Sequence, residues 1–592
     1  MGEQLVADAI VERLRAWGAT RIFGYAGDGI NSLLGALQRS GSPEFVSTRH
    51  EELAAFAACG HAKFSGEVGV CLATQGPGAI HLLAGLYDAK LDRRPVVAIV
   101  GQVVSTALGS GYLQEVDLHA LLKDVCSQYV QTVFAPEQAL TALDNAMRTA
   151  IATSTPTCLI IPHDVQKASM PEETPHSHGV VPSAPIAARP RIAPPEEQLR
   201  RAADVLNAGD RVALLVGRGA AGCAEHLAAV VDAVGGGVTT SLLGKPVLEE
   251  TQPWHTGVMG HLGTTASARL MAECDTLLIV GSNDPWTEFY PAPGQARAVQ
   301  IDIEPRVLGA KYPIEAAVSG DAALALSGLL PLLQRTADRS WEQRVHGWTA
   351  QWHRLADERC RETYDAANPE FVVRELSEHL PPNARVAVDV GSTVYWYARH
   401  LRLPAGVPAH VSGYLASMGC GLPYGIAAKL DAPDRPVVAL VGDGAMQMAG
   451  LPELVTLADR WRDWADPRFV VLVLHNGDLT EVSWEQREME NDPRFPASQR
   501  VPSFPYADYA ELLGLGAVRI TASDQASDAW RQAFAADRPF VIEAMVDPAA
   551  PMLPPLMPES KAEGLYAALE REDGGGALVD RMRRQRAADA EG

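Results

Sequence analysis

Residues 435–478 decide how this chain reads. A run with buried-strand character at 436–441 ends in Gly442-Asp443-Gly444, a helical segment follows, and a second such run at 469–474 ends in His475-Asn476-Gly477-Asp478. Strand, helix and strand in that order predict a parallel pair, and open α/β sheets gather ligands at the carboxyl ends of such strands. The carboxylate of Asp443 and the amide of Asn476 are hard oxygen donors. Mg²⁺ takes one or two of these and leaves its other octahedral positions to water and phosphate, so the two residues form half of a metal-diphosphate clamp. Gly442 and Gly444 let the backbone approach the phosphates. Taken alone, Gly-Asp-Gly is equally ordinary turn chemistry; the Asn476 element one strand later is what raises it above that.

The chain of 592 residues is long enough for about three domains. A hydrophobic fraction of 47% and a charged fraction of 21% describe a globular protein that buries large cores. The net charge of -22 argues against nucleic acid as a partner, because phosphate backbones want a basic face. The eight cysteines are scattered without a Cys-x-x-Cys pair, as reduced core thiols are, and residues 1–18 show a charged helical period in place of an apolar signal core. These features predict a cytoplasmic protein. No apolar run reaches the ~18 residues a membrane span needs, so membrane contact is not expected.

In chain order, a helix closed by Gly18 leads to strands at 21–25, 68–74, 95–101 and 157–162, with a small-residue helix at 53–64 opened by Arg49-His50-Glu51-Glu52. Gln75-Gly76-Pro77-Gly78 follows the second of these strands. Residues 171–195, rich in Pro, Ser and His, read as a linker. A second α/β unit has strands at 211–217, 276–282 and 298–303, the first ending in Gly217-Arg218-Gly219-Ala220-Ala221-Gly222. That is a Gly-x-Gly-x-x-Gly at a strand-to-helix junction, but the acidic residue a ribose would need about 20 positions on is not clearly placed. It reads as backbone packing or as a contact to a nucleotide cofactor other than NAD. Residues 336–366 are helical and bridge to a third unit with strands at 385–390, 436–441, 469–474 and 539–546. Near the end, 577–587 predicts a short, frayed surface helix with Leu578, Val579 and Met582 on one side. The expected boundaries are 1–170, 196–335 and 366–547 for the three domains, with linkers at 171–195 and 336–365 and a tail at 548–592. Residues 69–82 and 437–451 share a strand, Gly-turn and helix pattern, as expected if the first and third units have one architecture.

With Arg49-His50-Glu51, Gly76-Pro77-Gly78, the stretch Gly109 to Glu115, Cys274-Asp275-Thr276, Phe289-Tyr290-Pro291, Ile301-Asp302-Ile303-Glu304-Pro305 and Ala416-Ser417-Met418-Gly419 added, the chain resembles the thiamine-diphosphate enzymes of the pyruvate oxidase and acetolactate synthase group over essentially its whole length. The resemblance implies three doubly wound α/β domains: pyrimidine-binding, central FAD-type and diphosphate-binding. It implies a homodimer or homotetramer with sites between subunits, and a 2-oxo acid such as pyruvate as substrate. It assigns the metal to Asp443, Asn476 and the main-chain carbonyl of Asp478, with His475 standing where the family has a first Asn. Thiamine diphosphate falls to Gly76, Pro77, Gly391, Ser392, Met418, Gly442 and Gly444, and Met418 props the bent cofactor. Glu51 matches the carboxylate that bonds the aminopyrimidine ring and drives loss of the thiazolium proton, whereas Glu52 reads as a solvated helix residue. Gln114 and Glu485 match residues near the reacting centre. FAD falls to loops containing Gly219, Gly260, Asp284 and Asp302. Leu113 and Glu481 stand where the oxidases carry aromatic residues. The expected reaction is decarboxylation with oxidation through FAD; the alternative is carboligation of the acetolactate-synthase type.

Overall fold

The computed structural model describes residues 4–172, 184–189 and 191–590. Part of the expected linker at 171–195 lies outside these residues. Among them are three six-stranded parallel sheets. The first holds β1 (Arg21–Gly24), β2 (Glu44–Ser47), β3 (Gly69–Ala73), β4 (Val96–Gln102), β5 (Val130–Thr132) and β6 (Pro156–Pro162). The second holds β7 (Val212–Val216), β8 (Gly237–Thr240), β9 (His255–Val258), β10 (Thr276–Val280), β11 (Arg297–Asp302) and β12 (Ala316–Ser319). The third holds β13 (Arg385–Val388), β14 (Ala409–His410), β15 (Val437–Gly442), β16 (Phe469–His475), β17 (Gly516–Ile520) and β18 (Phe540–Met545).

The first sheet runs β2-β1-β3-β4-β6-β5 and the third β14-β13-β15-β16-β18-β17, which is the same order; the second runs β12-β11-β10-β7-β8-β9. The two similar stretches noted in the sequence are β3 and β15 with the turns that follow them, and they occupy the same place in their sheets. Both faces of each sheet are covered, which is why the strands read as unbroken apolar runs. In β7, Ala213 and Leu215 face one core while Val212, Leu214 and Val216 face the other.

Every strand expected from the sequence is present to within a few residues. The expected list lacks β2, β5, β9, β12, β14 and β17, the edge strands of their sheets, and β8, which lies between β7 and β9. The bridging segment is the 21-residue helix Ser340–Cys360. Its Trp341, Val345, Trp348 and Trp352 pack on the central sheet, with the Trp341 indole donating to the Val212 carbonyl at 3.0 Å. The terminal helix corrects an expectation. Gly575–Ala590 is docked, not frayed: Val579 and Met582 are buried, Asp589 pairs with Arg359 at 2.5 Å, Gln585 donates to Glu362, and the Arg581 guanidinium lies 4.0 Å over the Tyr364 ring. Arginines that look solvated in a helical wheel here find aromatic and carboxylate partners contributed by the third domain and the helix before it.

The three units meet around Lys63, on helix Glu51–Phe64. Its ammonium is 1% exposed and donates to Asp92 (2.7 Å), the Tyr424 hydroxyl (2.6 Å) and the Val411 carbonyl (2.8 Å), with Asp88 at 3.6 Å. Asp92 also accepts the Gly413 and Tyr414 amides, and its carbonyl accepts from Arg218 of the central unit. Burial alone would discharge the ammonium, but the fields of Asp88 and Asp92 outweigh it and hold the charge. Lys63→Met therefore strands two buried carboxyls. It should cost about 3–5 kcal/mol, seen as a large drop in the thermal midpoint or as loss of soluble protein.

Candidate functional site

The register pairing Gly442 with Leu474 brings the ends of β15 and β16 level, so Asp443 and Asn476 leave the sheet at one edge. Asp443 is 2% exposed. One of its carboxylate oxygens accepts the amides of Asn476 (3.1 Å) and Gly477 (2.7 Å), and the other accepts that of Gly444 (2.9 Å). Burial pushes its pKa up despite these bonds. The Asn476 amide oxygen accepts the Asp478 amide at 2.9 Å, while the Asp478 carboxylate is engaged by Ser483 and Arg494. That leaves the Asp478 carbonyl, not its side chain, as the third candidate ligand. His475, where the family pattern has Asn, bonds Glu543 of the neighbouring strand through Nδ1 at 2.9 Å.

Gly444 carries no side chain because Met418 and Leu479 fill that space: a Cβ there would lie 3.2 Å from the Met418 methyl and 2.8 Å from Leu479. Met418 thus sits beside the metal motif. Gly391 has φ +114 and leads into Ser392 at the start of helix Ser392–His400, beside Gly442. Next to it, the buried Thr393 hydroxyl has no partner among the described residues and lies 3.5 Å from where a Gly442 Cβ would be. A glycine cradle, an orphan hydroxyl and paired oxygen donors fit a Mg²⁺-held diphosphate.

Sequence reasoning missed what holds Met418 in place. Asp389, at the end of β13, is 1% exposed and accepts the amides of Val390, Gly419 and Gly421, each at 2.8 Å. Burial outweighs these bonds and lifts its pKa to about 6. An acidic residue one or two positions past a buried strand and just before a Gly was the available signal.

Glu51 begins its helix and is 8% exposed. Its carboxylate bonds His81 Nδ1 at 3.0 Å and lies 3.2 Å from the place of a Gly78 Cβ, so Gly78 keeps its approach open. Glu52 is half-buried, its amide donating to His50 Nδ1. Gly76, φ +57, touches the Gln114 backbone, and a Cβ there would meet it at 2.9 Å; Pro77 then starts the short helix Pro77–His81. Gln114 is itself at φ +63, a strained position for a residue with a side chain, and its amide oxygen accepts from Gln75 at 2.9 Å. Among the described residues no hydrogen bond or ion pair joins Glu51 or Gln114 to Asp443, Asn476 or Asp478.

In the central unit Gly217 and Gly219 pack on the backbone of Gly281 and Ser282, which is the packing role the motif allowed. Gly260 (φ +95) faces the Trp286 ring, Asp284 accepts the Trp286 amide, and Asp302 accepts that of Glu304. Burial lifts Asp284 to about 6 and raises Asp302. Buried Thr240 Oγ1, Ser282 Oγ and Asn283 Oδ1, at the ends of β8 and β10, have no partner among the described residues. Three orphan polar atoms at the carboxyl edge of a doubly wound sheet fit a nucleotide-type cofactor. Glu485 follows the metal loop on helix Thr480–Glu485, four residues after Glu481, and both are half-buried.

Three family models match the chain: thiamine pyrophosphate enzyme, N-terminal TPP binding domain (residues 5–121), central domain (199–329) and C-terminal TPP binding domain (389–544). The chain is 32% identical over 555 residues, 93% of each chain, to YdaP of Bacillus subtilis, whose name designates a thiamine pyrophosphate-containing protein. It is 30% identical to the acetolactate synthase isozyme 2 large subunit of Escherichia coli, covering 93% of this chain and 97% of that one. To the pyruvate oxidase of Lactiplantibacillus plantarum it is 30% identical over 75% of this chain and 73% of the other.

Asp389→Ala should release the strand-connecting segment that carries Met418. Three backbone amides lose a charged acceptor, at ~1–3 kcal/mol for each left unsatisfied. The expected outcome is a lower thermal midpoint together with new proteolytic cleavage within residues 412–421.

Proposed function

The chain belongs to the thiamine pyrophosphate enzyme family, and from that premise we propose that it decarboxylates pyruvate or a related 2-oxo acid with thiamine diphosphate and Mg²⁺, and oxidises the product through FAD. The clamp of Asp443 and Asn476 at the edge of the third sheet carries this reading. Asp443, Asn476 and the Asp478 carbonyl would hold the metal, Gly442, Gly444, Gly391 and Ser392 the diphosphate, and Met418 with Gly76 and Pro77 the body of the cofactor. When bound, thiamine diphosphate supplies a carbon that takes up the acyl group and accommodates the electron pair left by CO₂. Glu51 holds or returns a proton at the aminopyrimidine ring, with His81 as its neighbour. Gln114 and Glu485 face the substrate.

The orphan atoms around Gly219, Gly260, Asp284 and Asp302 support FAD in the central unit. Carboligation of the acetolactate-synthase type is the second reading, and Glu481 favours it: a carboxyl where the oxidases carry an aromatic residue disfavours an anionic reduced flavin. A homodimer or homotetramer whose sites form between subunits is part of the same proposal, carried by the family resemblance. Exposed apolar residues near both halves, Tyr112 and Leu113 on one and Met448 and Val482 on the other, are suited to cover one another in that assembly. No helix among the described residues is long and apolar enough to cross a membrane, and a cytoplasmic location remains part of the proposal.

Asp443→Ala should abolish retention of thiamine diphosphate and Mg²⁺ in calorimetric titration; Mg²⁺-dependent cofactor binding that survives would refute the clamp. Glu51→Gln should bind the cofactor normally and turn over ~10²-fold or more slowly. Mixing the two inactive variants under conditions of subunit exchange should restore part of the activity, and no recovery in proven mixed dimers would place each site within one chain. The visible spectrum decides the redox half: flavin bands that bleach anaerobically with pyruvate support oxidation, and no flavin after reconstitution removes it.

A further inference from the structure

Where the bridging helix Ser340–Cys360 passes between the central and third units there is a cavity that the proposed reaction does not use. Glu250 and His255 reach it from the central unit, His353 from the bridging helix, and Arg374, Arg399 and Arg402 from the third unit. Its size suits one small ion and not a nucleotide. The charges around it do not balance. Arg374 is paired with Asp357 at 2.6 Å, and Glu250 with the buried ammonium of Lys245. Arg399 has no carboxylate within ion-pair distance among the described residues: its Nε and one terminal nitrogen donate to the carbonyls of His261, Leu262, Gly263 and Leu553. Arg402 comes no nearer than 3.8 Å to Asp357, which Arg374 already holds, and gives a hydrogen bond to His353 Nδ1 at 3.2 Å. Two guanidiniums are thus left over beside one cavity, and burial disfavours the charge of each. A buried charge of that kind is costly until an anion meets it.

The two imidazoles specify more than charge. A guanidinium can only donate, so His353 Nδ1 accepts from Arg402, and Nε2 of that ring carries its hydrogen. Burial, then Arg402, push the His353 pKa down to about 4, so the ring adds no charge of its own. His255 is 2% exposed, and its Nδ1 donates to the Glu249 carbonyl at 3.2 Å, because a carbonyl can only accept. Its Nε2 is left with a lone pair. That atom is buried and has no partner among the described residues, and burial holds this ring neutral as well. The cavity therefore offers two spare positive charges and one acceptor that lacks a donor. Sulfate would answer the charge and leave Nε2 unpaired; bicarbonate brings a hydroxyl but a single charge. Hydrogen phosphate, HPO₄²⁻, brings both.

We propose that this cavity is a binding site for inorganic phosphate as the hydrogen phosphate dianion, its charged oxygens facing Arg399 and Arg402 and its P–OH donating to His255 Nε2. The site is separate from the metal motif and from the nucleotide-type loops, and its assignment does not depend on the cofactor reading. Its place in the fold gives the ion a structural consequence. His255 begins β9 of the central unit, His353 lies on the bridging helix, and Arg399 lies on helix Ser392–His400 of the third unit. One ion bonded to the first and last of these ties the central unit to the helix whose first residue stands beside Gly442, and it fills a seam that otherwise holds unmatched charge.

Calorimetric titration of the full-length protein with inorganic phosphate tests this, in saturating thiamine diphosphate and Mg²⁺ so that phosphate does not report on the cofactor cradle. One phosphate per chain should bind and raise the thermal midpoint. Sulfate and bicarbonate should bind ~10-fold or more weakly, each lacking one of the two features. Arg402→Gln, at the most exposed of the three guanidiniums, should weaken phosphate by ~10-fold or more. His255→Asn keeps an amide for the Glu249 carbonyl and removes Nε2; it should bring phosphate down to the affinity of sulfate and leave sulfate unchanged. A variant that merely loosened the fold would weaken both anions together. No phosphate binding to the wild-type protein, or wild-type affinity in both variants, overturns the site. Sulfate or bicarbonate bound as tightly as phosphate by the wild-type protein overturns the hydrogen phosphate assignment, and that comparison needs no variant. If thiamine diphosphate itself failed to bind, the cofactor reading would fall, while the three-anion comparison and the two variants would still decide the seam.

Discussion

The buried ammonium of Lys63 is the point on which the arrangement of the three units depends. It binds Asp88 and Asp92 of the first unit to Tyr424 and Val411 of the third, and Asp92 extends the bond to Arg218 of the second. Taking these charges out of water costs several kcal/mol each, so the cluster is a poor source of net stability and a strong source of specificity. Any other docking of the units would take the Tyr424 hydroxyl and Val411 carbonyl from the ammonium and the Gly413 and Tyr414 amides from Asp92, leaving buried charges short of hydrogen-bond partners. Asp92 also accepts the amides of Gly413 and Tyr414, which begin the segment that delivers Met418 to the diphosphate edge. One ion network thus ties the domain packing to the segment that carries Met418, the residue proposed to shape the cofactor site.

The matching strand order of the first and third sheets has a chemical consequence. Their third strands, β3 and β15, each end in a glycine turn, one leading to Gly76 and Gly78, the other to Gly442 and Gly444. The first turn opens toward a carboxylate from a helix start, Glu51; the second carries its own carboxylate, Asp443. On the proposed reading, the same architecture would provide one end for the organic ring and one for the charged tail of a cofactor. The central sheet, with a different order, offers orphan hydroxyls and an amide oxygen at its edge and no comparable carboxylate-glycine turn.

What could be read from the sequence follows from burial. Strands covered on both faces are continuous apolar runs, and those at sheet centres, β3, β4, β7, β10, β15 and β16, were legible for that reason. The missed strands are short and, β8 apart, at sheet edges, such as Ala409–His410, where few apolar residues distinguish a strand from a loop. The clamp was legible because Asp443 and Asn476 each lie just past such a run. Asp389 offered only its place near a strand end, since its partners, the amides of Gly419 and Gly421, are 30 and 32 residues away and carry no side-chain signature. The terminal helix misled for a related reason: Arg581 and Arg586 find Tyr364, Tyr566 and Glu559 only through the tertiary fold.

Three carboxylates show how the site is kept rigid. Glu115 accepts the amides of Gly109, Gly111 and Tyr112; Asp389 those of Val390, Gly419 and Gly421; Asp443 those of Gly444, Asn476 and Gly477. Each organises a loop that presents a side chain to the site: Gln114, Met418 and Asn476. Two of those loops contain a residue with a side chain at positive φ, Gln114 (φ +63) and Ala416 (φ +54), a conformation that costs on the order of 1–3 kcal/mol and persists only where the surroundings impose it. The same donors act on different backgrounds. Glu115 is only half-buried, and its amides hold its pKa low, whereas burial overrides the amides at Asp389 and Asp443 and raises both. A buried carboxylate that still carries its charge there does so because backbone dipoles have been turned toward it in advance, and a cation arriving at Asp443 meets an acceptor already fixed in place rather than one that must first be ordered.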